Sequence, residues 1–400
     1  MAKNMLLLWY CLCSYAVWGM AQEGNGLVYF NKTYGGNDTC NMLCQVAYPL
    51  ADGFLTMGGY ATDDFGHTLY IMKTDQRGEF VWLKHLVQGD TWGVIEDGKR
   101  LCATNDGNFV LTIGKALLPL GTGSTIHLFK FNTNGDTIWH RIYNNEHSQL
   151  ARHVIQTSDG GFALAGFRYY EGGVADTARC LLIKTDTAGY IQWQRTYSMG
   201  NDARAFSVHQ TPWDGGYILG GMGYSPTTGY DMWVVKTDSL GDTLWTRSYG
   251  SVYWDWGGRI MPLTTLEEYN AGVLGEYILT GAWRDTNNDW ESKLYIAKLD
   301  SEGNIIWQRK HANYGYFYSL QALPIVRQDN RVIGISGFQN NNGFQNPVIV
   351  SFKSNGDIDW LKPITINPEK DCYIKDMRPT DDGAMFWRVI NTIHRKRLGS

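Results

Sequence analysis

The sequence predicts an all-β fold made of repeated four-stranded units, and three observations predict it. The 400-residue chain is rich in aromatic residues and glycine, with 16 Trp, 24 Tyr, 15 Phe and 46 Gly, while charged residues make up only 18%. Asp-Gly and Gly-Gly pairs recur between short apolar runs, as they do in β-hairpins. One longer segment recurs almost verbatim along the chain. This composition is typical of turn-rich β proteins and not of disordered chains.

The recurring segment reads Lys-x-Asp, two variable residues, Gly, three further residues and Trp, and its copies lie roughly 50–60 residues apart. The turn glycine lets one strand reverse into the next, and we expect each tryptophan to lie flat between neighbouring units. We interpret the Lys-x-Asp carboxylates as acceptors for turn N–H groups, not as catalytic acids. The predicted docking residues are Trp82, Trp139, Trp193, Trp245, Trp307 and Trp360.

Each period contains four predicted strands, which in one copy cover residues 153–157, 162–167, 181–185 and 191–197. Four antiparallel strands in about 50 residues have the size of a β-propeller blade. A single blade cannot cover both of its apolar faces, so neighbouring blades must stack to form a core. The sequence therefore predicts a β-propeller.

Complete repeats and a fragment at each end predict seven four-stranded blades, with six or eight blades left open. Residues 373–390 provide strands one and two of the last blade, and residues 27–35 resemble an outer strand. We expect this N-terminal strand to complete the last blade and close the ring, which removes free sheet edges. The third strand of that blade would come from residues 391–398 or be absent.

The N-terminus predicts a secretory signal peptide. Lys3 precedes an apolar stretch over residues 5–18, and small residues precede a cleavage site after Ala21. A membrane anchor is a weaker alternative because the stretch is shorter than the ~20 residues that span a bilayer. A lipoprotein is weaker too, because the small residues before a lipidated cysteine are missing. We therefore expect residues 1–21 to be removed and residues 22–400 to form one exported domain, either secreted, at the cell surface or periplasmic.

Charge and cysteine usage limit the partners. The formal net charge of -4 and the single short basic run, Arg395-Lys-Arg397, disfavour nucleic acid as a partner. The cysteines of the predicted domain are spread thinly and do not form a disulfide framework. Cys40 and Cys44 could pair with each other or with Cys372. Their spacing does not suggest a zinc site.

The Asp-x-x-Gly-x-x-x-Trp element resembles the tryptophan-docking motif of quinoprotein-like propellers. The longer pattern, Asp-Gly-Gly-Phe/Tyr followed by Lys-Thr-Asp-x-x-Gly-x-x-x-Trp-x-Arg-x-Tyr-Gly, is similar to repeat propellers of exported proteins from Bacteroidetes-type bacteria. The resemblance covers residues 27–390 and implies the architecture, not an activity. Such relatives often carry a C-terminal domain for type IX secretion. No such domain is recognised before Ser400, so we expect a released or periplasmic protein, or a truncated form.

The sequence contains none of the nucleophile-elbow, metalloprotease or phosphate-loop motifs that announce common enzymes. The quinone-dependent enzymes that share the docking motif need adjacent cysteines, and this chain has no Cys-Cys pair. Residues 285–289 resemble part of a calcium loop, but Trp290 stands where the turn glycine belongs. We therefore predict no cofactor, no metal and no enzymatic activity.

Aromatic residues outside the docking positions predict a binding surface. Trp254, Trp256, Tyr316 and Tyr318 lie in or beside loops that would line a rim of the propeller. Packing of these loops against the blades is the alternative. The sequence thus predicts a non-catalytic scaffold for a protein or glycan of the cell envelope. The alternative function is a carbohydrate-active hydrolase or lyase with its active site in the central channel.

Overall fold

The computed structural model describes most of the chain as antiparallel β-structure. The described residues are 15–23, 26–34, 42–61, 67–87, 100–116, 124–143, 147–170, 177–285, 292–311, 332–339, 345–363, 371–379 and 385–392. Within them, one short helix, α1 (Leu266–Asn270), interrupts the strands. None of the helical structure in these ranges is long and apolar enough to cross a membrane.

The described residues contain five four-stranded sheets, each made of consecutive strands. Their strands are, in order, β3 (Met42–Leu50), β4 (Gly53–Ala61), β5 (His67–Thr74) and β6 (Phe80–Val87); β7 (Leu101–Ala103), β8 (Phe109–Ala116), β9 (Ser124–Phe131) and β10 (Thr137–Tyr143); β11 (Gln149–Gln156), β12 (Phe162–Tyr170), β13 (Thr177–Thr185) and β14 (Ile191–Tyr197); β15 (Ala203–Gln210), β16 (Tyr217–Ser225), β17 (Gly229–Thr237) and β18 (Thr243–Tyr249); β19 (Trp256–Pro262), β20 (Glu276–Arg284), β21 (Ser292–Asp300) and β22 (Ile305–His311).

Smaller sheets lie at the two ends of the chain. The strands are β1 (Tyr15–Glu23) paired with β2 (Gly26–Tyr34); β23 (Val332–Gln339), β24 (Gln345–Phe352) and β25 (Ile358–Pro363); and β26 (Asp371–Pro379) paired with β27 (Met385–Thr392). β1 contacts β27, and β26 contacts β3, so the first and last sheets are neighbours. The repeated four-stranded sheets confirm the predicted all-β class and are consistent with a propeller. The number of blades and the closure of the ring remain predictions.

The ends of the chain differ in detail from the expectation. β1 overlaps the predicted signal peptide and lies beside β27. The sequence instead predicts that the next strand of the last blade comes from residues 391–398 or is absent. Cleavage after Ala21 remains a prediction. Within the described residues, Cys180 is a free thiol, whereas the side chains of the cysteines considered for pairing lie outside what the structure describes.

Each repeat is stabilised by its turns. Asp186 Oδ1 accepts hydrogen bonds from the backbone N–H groups of Ala188 at 3.0 Å and Tyr190 at 2.8 Å. Between them, Gly189 has a φ of +80°, which a side chain would disfavour. Lys184 Nζ, from the same triplet, donates to Asp159 Oδ2 of the other turn at 2.7 Å. The triplet carboxylates are therefore turn acceptors, as the sequence predicts.

The core lies between neighbouring sheets. Ala163 and Leu182 of one sheet pack with Leu219 and Val235 of the next in a single buried cluster. Middle strands such as β12 are buried over most of their length, while outer strands such as β14 are largely exposed. This stacking of sheet on sheet is what the repeat requires, because a lone sheet would leave both apolar faces in water.

Candidate functional site

Four aromatic side chains form a patch at one end of the β15–β18 sheet, where β16 turns into β17 and β18 continues towards β19. We call Tyr224, Tyr230, Trp254 and Trp256 the aromatic patch. Tyr230 is its centre: its ring lies 5.3 Å from Tyr224, 5.3 Å from Trp254 and 6.0 Å from Trp256, centroid to centroid. Trp254 and Trp256 remain 48% and 37% exposed. The patch therefore offers aromatic surface to a ligand.

The backbone of β17 makes room for this patch. Gly229, the first residue of β17, has a φ of +84°, and a Cβ there would lie 2.2 Å from Trp254 Cδ1. Only glycine combines this dihedral angle with so close an approach of the indole. Trp254 is thus packed against the sheet on one side and exposed on the other. The sequence offers two interpretations of the aromatic loops, packing against the blades and binding of a partner. Trp254 is positioned for both.

Two carboxyl groups lie directly beneath the patch. Residues 250–256, the patch loop, carry Trp254 and Trp256 and place Asp255 between them, fully buried. Asp255 accepts hydrogen bonds from the backbone N–H groups of Ser251, at 2.5 Å, and of Arg284, at 2.6 Å. Asp231 of β17 is also buried, and the hydroxyl of Thr228 donates to its Oδ2 at 2.8 Å.

The two carboxyl groups face each other across Gly250. The position that a Cβ would take on Gly250 lies 2.0 Å from Asp231 Oδ1 and 3.0 Å from Asp255 Oδ2, so these oxygens are separated by no more than the sum of the two distances. In the described part of the chain, Asp231 Oδ1 is buried and accepts no hydrogen bond. Two acidic groups thus share a buried site.

Burial and proximity favour the neutral form of this pair. Burial, together with the charge of Asp231, raises the pKa of Asp255 to about 6, although the N–H groups of Ser251 and Arg284 oppose the shift. Burial likewise raises the pKa of Asp231 above its ordinary value, opposed by the hydroxyl of Thr228. At least one proton is therefore favoured on the pair in mildly acidic solution.

The ion pair of Asp202 and Arg204 lies next to the patch, on the side of Tyr230. Tyr230 Oη donates to Asp202 Oδ2 at 2.6 Å, and Arg204 forms a two-pronged ion pair with the same carboxylate at 2.8 Å for each bond. The Arg204 guanidinium also lies over the Tyr169 ring, 5.6 Å from its centroid. Polar groups able to bind hydroxyls therefore lie next to the exposed indoles.

The structure brings together part of the predicted binding surface. Trp254 and Trp256 lie in one patch, while Tyr316 and Tyr318 lie outside the described residues. The sequence analysis does not single out Asp255, although it lies between the two tryptophans. An acidic residue within so aromatic a stretch is the signal that could have identified it.

The predicted docking tryptophans lie away from this patch. The indoles rest on turn glycines of the following repeat: a Cβ on Gly189 would lie 2.8 Å from Trp139, and one on Gly241 would lie 2.7 Å from Trp193. Asp285, from the calcium-like segment, forms an ion pair with Lys293 and accepts the Trp283 indole N–H at 2.8 Å. Among the described residues, no group of three or more His, Cys, Asp or Glu could hold a metal ion.

The fold and the patch define an all-β repeat protein with an aromatic surface above buried acids. No protein-family model matches the chain, and no curated protein matches it. Solved structures that it resembles include a mutant apocarotenoid oxygenase of Synechocystis, 13% identical, with a TM-score of 0.47 over 80% of this chain and 71% of that one. An α-L-arabinofuranosidase of Fusarium graminearum is 9% identical, with a TM-score of 0.39 over 70% and 79%. A glycoside hydrolase is 9% identical, with a TM-score of 0.36 over 92% and 99%.

All three solved structures are enzymes, and the prediction that this chain is not an enzyme is therefore not retained. The missing sequence motif is no argument against activity, because a site on a repeat fold is assembled from side chains of different strands and loops. At this level of identity, what each enzyme acts on remains a property of that enzyme.

Proposed function

We propose that this chain is an exported, carbohydrate-active β-propeller, a hydrolase or lyase, that binds its glycan on the aromatic patch. The exposed indoles of Trp254 and Trp256, held at fixed positions by Tyr230 and Gly229, are the observation that carries the proposal. A sugar ring presents C–H groups on its faces and hydroxyls around its edge. Rigid aromatic faces beside polar groups suit both of these features.

A bound sugar would have hydrogen-bonding groups close by. Asp202, Arg204 and the hydroxyl of Tyr230 form one network, and a charged hydrogen bond to a sugar hydroxyl is stronger than a neutral one. The patch is also small, whereas a stable protein partner covers roughly 800 Å² on each side. A glycan is therefore the better match, and a cell-envelope protein is the alternative outcome of the test.

Binding is tested by calorimetry with a panel of soluble polysaccharides and the chain from Gln22 onwards. We expect Trp254→Ala to weaken glycan binding roughly tenfold or more, because it removes a central aromatic contact. Leu244→Ala is the matched control, since Leu244 is an exposed apolar residue on β18 outside the patch. Equal affinity of the two variants would show that the patch is not the binding surface.

Cleavage is tested in the same samples by mass spectrometry of released oligosaccharides. Asp202, 6% exposed, is joined to the patch through Tyr230, and it is our candidate for the carboxyl group that acid–base cleavage needs beside the bound sugar. We expect Asp202→Asn to bind the glycan a few-fold more weakly, because the network with Arg204 loses its charge, and at saturating glycan to release products at least a hundredfold more slowly. Unchanged product release would rule out Asp202 as the acid–base group.

A further inference from the structure

The buried carboxyl pair beneath the patch has no role in the proposed binding surface itself. Asp255 is fully buried and therefore touches no ligand, but it bonds the patch loop to β20 through the Arg284 N–H group. Asp231 belongs to β17, whose neighbouring residue Tyr230 is the centre of the patch. The backbone N–H group of Asp255 also donates to the Tyr230 carbonyl oxygen at 2.7 Å, so the two carboxyl groups lie where the patch loop is attached to the sheet.

Among the described residues, no positively charged group is a cause of the pKa shift of Asp255 or of Asp231. Asp231 of β17 is the charged group that shifts the pKa of Asp255, and it raises it. From β20, Arg284 contributes its backbone N–H group, and from the patch loop Ser251 does the same. Tyr295 of β21 also faces Asp255, and this carboxylate adds to the rise in the pKa of that phenol.

Two negative charges in one buried site repel each other, and burial disfavours the charged form of each. A single proton between Asp231 Oδ1 and Asp255 Oδ2 removes the repulsion and gives the otherwise unbonded Oδ1 a hydrogen-bond partner. The same arrangement leaves the N–H groups of Ser251 and Arg284 bonded to Asp255. One proton thus satisfies the hydrogen-bonding needs of the site.

We infer that Asp231 and Asp255 share one proton while the patch loop is docked, and that loss of this proton releases the loop and weakens glycan binding. The inference rests on the proposed function for its effect on binding, but the shared proton is measurable without any glycan. Asp231 and Asp255 are positioning residues, which act through Trp254 and Trp256.

The sign of the pH dependence follows from the direction of the shifts. A carboxyl group whose pKa is higher in the docked form than in the released form favours docking when it is protonated. The stabilisation of docking by protonation is therefore complete below the ordinary pKa of a carboxyl group, about 4. It weakens as the pH rises towards the folded pKa of Asp255, about 6. Above that window the loss is constant, at up to about tenfold for each unit of pKa difference.

The experiment measures melting temperature and glycan affinity between pH 4 and pH 8 for the wild type, Asp231→Asn and Trp254→Ala. We expect the wild-type affinity to fall about tenfold from pH 5 to pH 8, and its melting temperature to fall over the same range. Asp231→Asn should reduce the fall in affinity and in melting temperature, because the amide removes the charge of Asp231 and the shared proton, while burial still raises the pKa of Asp255. Trp254→Ala should lose binding and keep the wild-type dependence of melting temperature on pH.

The outcomes separate the two proposals. Absence of glycan binding at every pH, with a flatter melting profile in Asp231→Asn, would refute the proposed function and retain the shared proton. Identical pH profiles of affinity in the wild type and Asp231→Asn would overturn the inference. If Asp231→Asn does not fold, infrared spectra of the wild type decide: a carboxylic acid band that titrates above pH 5 supports the shared proton, and its absence overturns it.

Discussion

At the scale of single residues, a tyrosine in each of several outer strands connects two repeats. Tyr143, Tyr197 and Tyr249 donate hydrogen bonds to carbonyl groups of the following repeat, at 2.6–2.7 Å. The acceptors are all glycines of the turns between third and fourth strands. His311 takes this place in β22, with its Nε2 3.0 Å from the Gly356 carbonyl oxygen. The side chain at this position thus provides a hydrogen-bonding group at its tip in all four strands.

Replacing one of these tyrosines tests the contact. Tyr249→Phe removes the donor and leaves the buried Gly303 carbonyl without that partner, so we expect a loss of about 1–2 kcal/mol in the free energy of unfolding. The measurement is equilibrium unfolding in urea. Tyr190→Phe is the control, because Tyr190 is exposed and should change stability very little. A Tyr249→Phe variant as stable as that control would contradict the assigned role.

At the scale of structural elements, the turn between third and fourth strands performs two functions. It reverses the chain, and its glycine supports the tryptophan of the preceding repeat. Gly241 has a φ of +82°, and a Cβ there would lie 2.7 Å from Trp193 Cζ3. The guanidinium of Arg195 lies over the same indole, 5.8 Å from its centroid, and bonds to Asp242 at 3.4 Å. One turn thus contacts both Trp193 and Arg195 of the preceding sheet, through Gly241 and Asp242.

A pair of glycine variants separates these two functions. Gly241→Ala should lower the free energy of unfolding by about 2–3 kcal/mol, because it combines an unfavourable φ with displacement of Trp193. Gly215→Ala has a similar φ, +68°, but a Cβ there meets no atom within 4 Å, so we expect a loss of about 1 kcal/mol. The measurement is again urea unfolding. Equal losses would show that indole packing at Gly241 contributes nothing.

At the scale of the whole molecule, the arrangement of the first and last sheets bears on the predicted ring. β1 contacts β27 and β26 contacts β3, so strands from both ends of the chain meet. A ring closed in this way leaves no exposed sheet edge between the termini. In the structure β2 pairs with β1, which lies beside β27. We predict that the segment before Gln22 is dispensable after export and that β2 then takes the place of β1 beside β27.

Two truncated chains test this prediction. A chain that begins at Gln22 should unfold in one cooperative step. A chain that begins at Asn37 lacks β2, so it should melt at least 5 °C lower because the last sheet loses its partner strand. Calorimetry measures both. Equal melting temperatures would exclude β2 from the closure, and a misfolded Gln22 chain would mean that β1 belongs to the mature fold.

Local signals predict the strands well and the acidic site poorly. The predicted strand at residues 191–197 coincides with β14, because a turn and an apolar pattern define each strand locally. Helix α1 is absent from the predictions, although Thr265 and Glu268 form a capping box that marks its start. Asp231 and Asp255 belong to different elements, so only the packing of the patch loop reveals that they are neighbours.

The contact between each indole and the next turn glycine has an evolutionary consequence. In the described part of the chain, a tryptophan of one repeat lies against the turn glycine of the next, as in the Trp139–Gly189 and Trp193–Gly241 pairs. A segment one period long contains both halves of the contact wherever its boundaries fall. Duplication or deletion of such a segment in the gene would leave each remaining tryptophan with a glycine to pack against. Repeats can therefore be gained or lost in evolution without the need for a new interface between sheets.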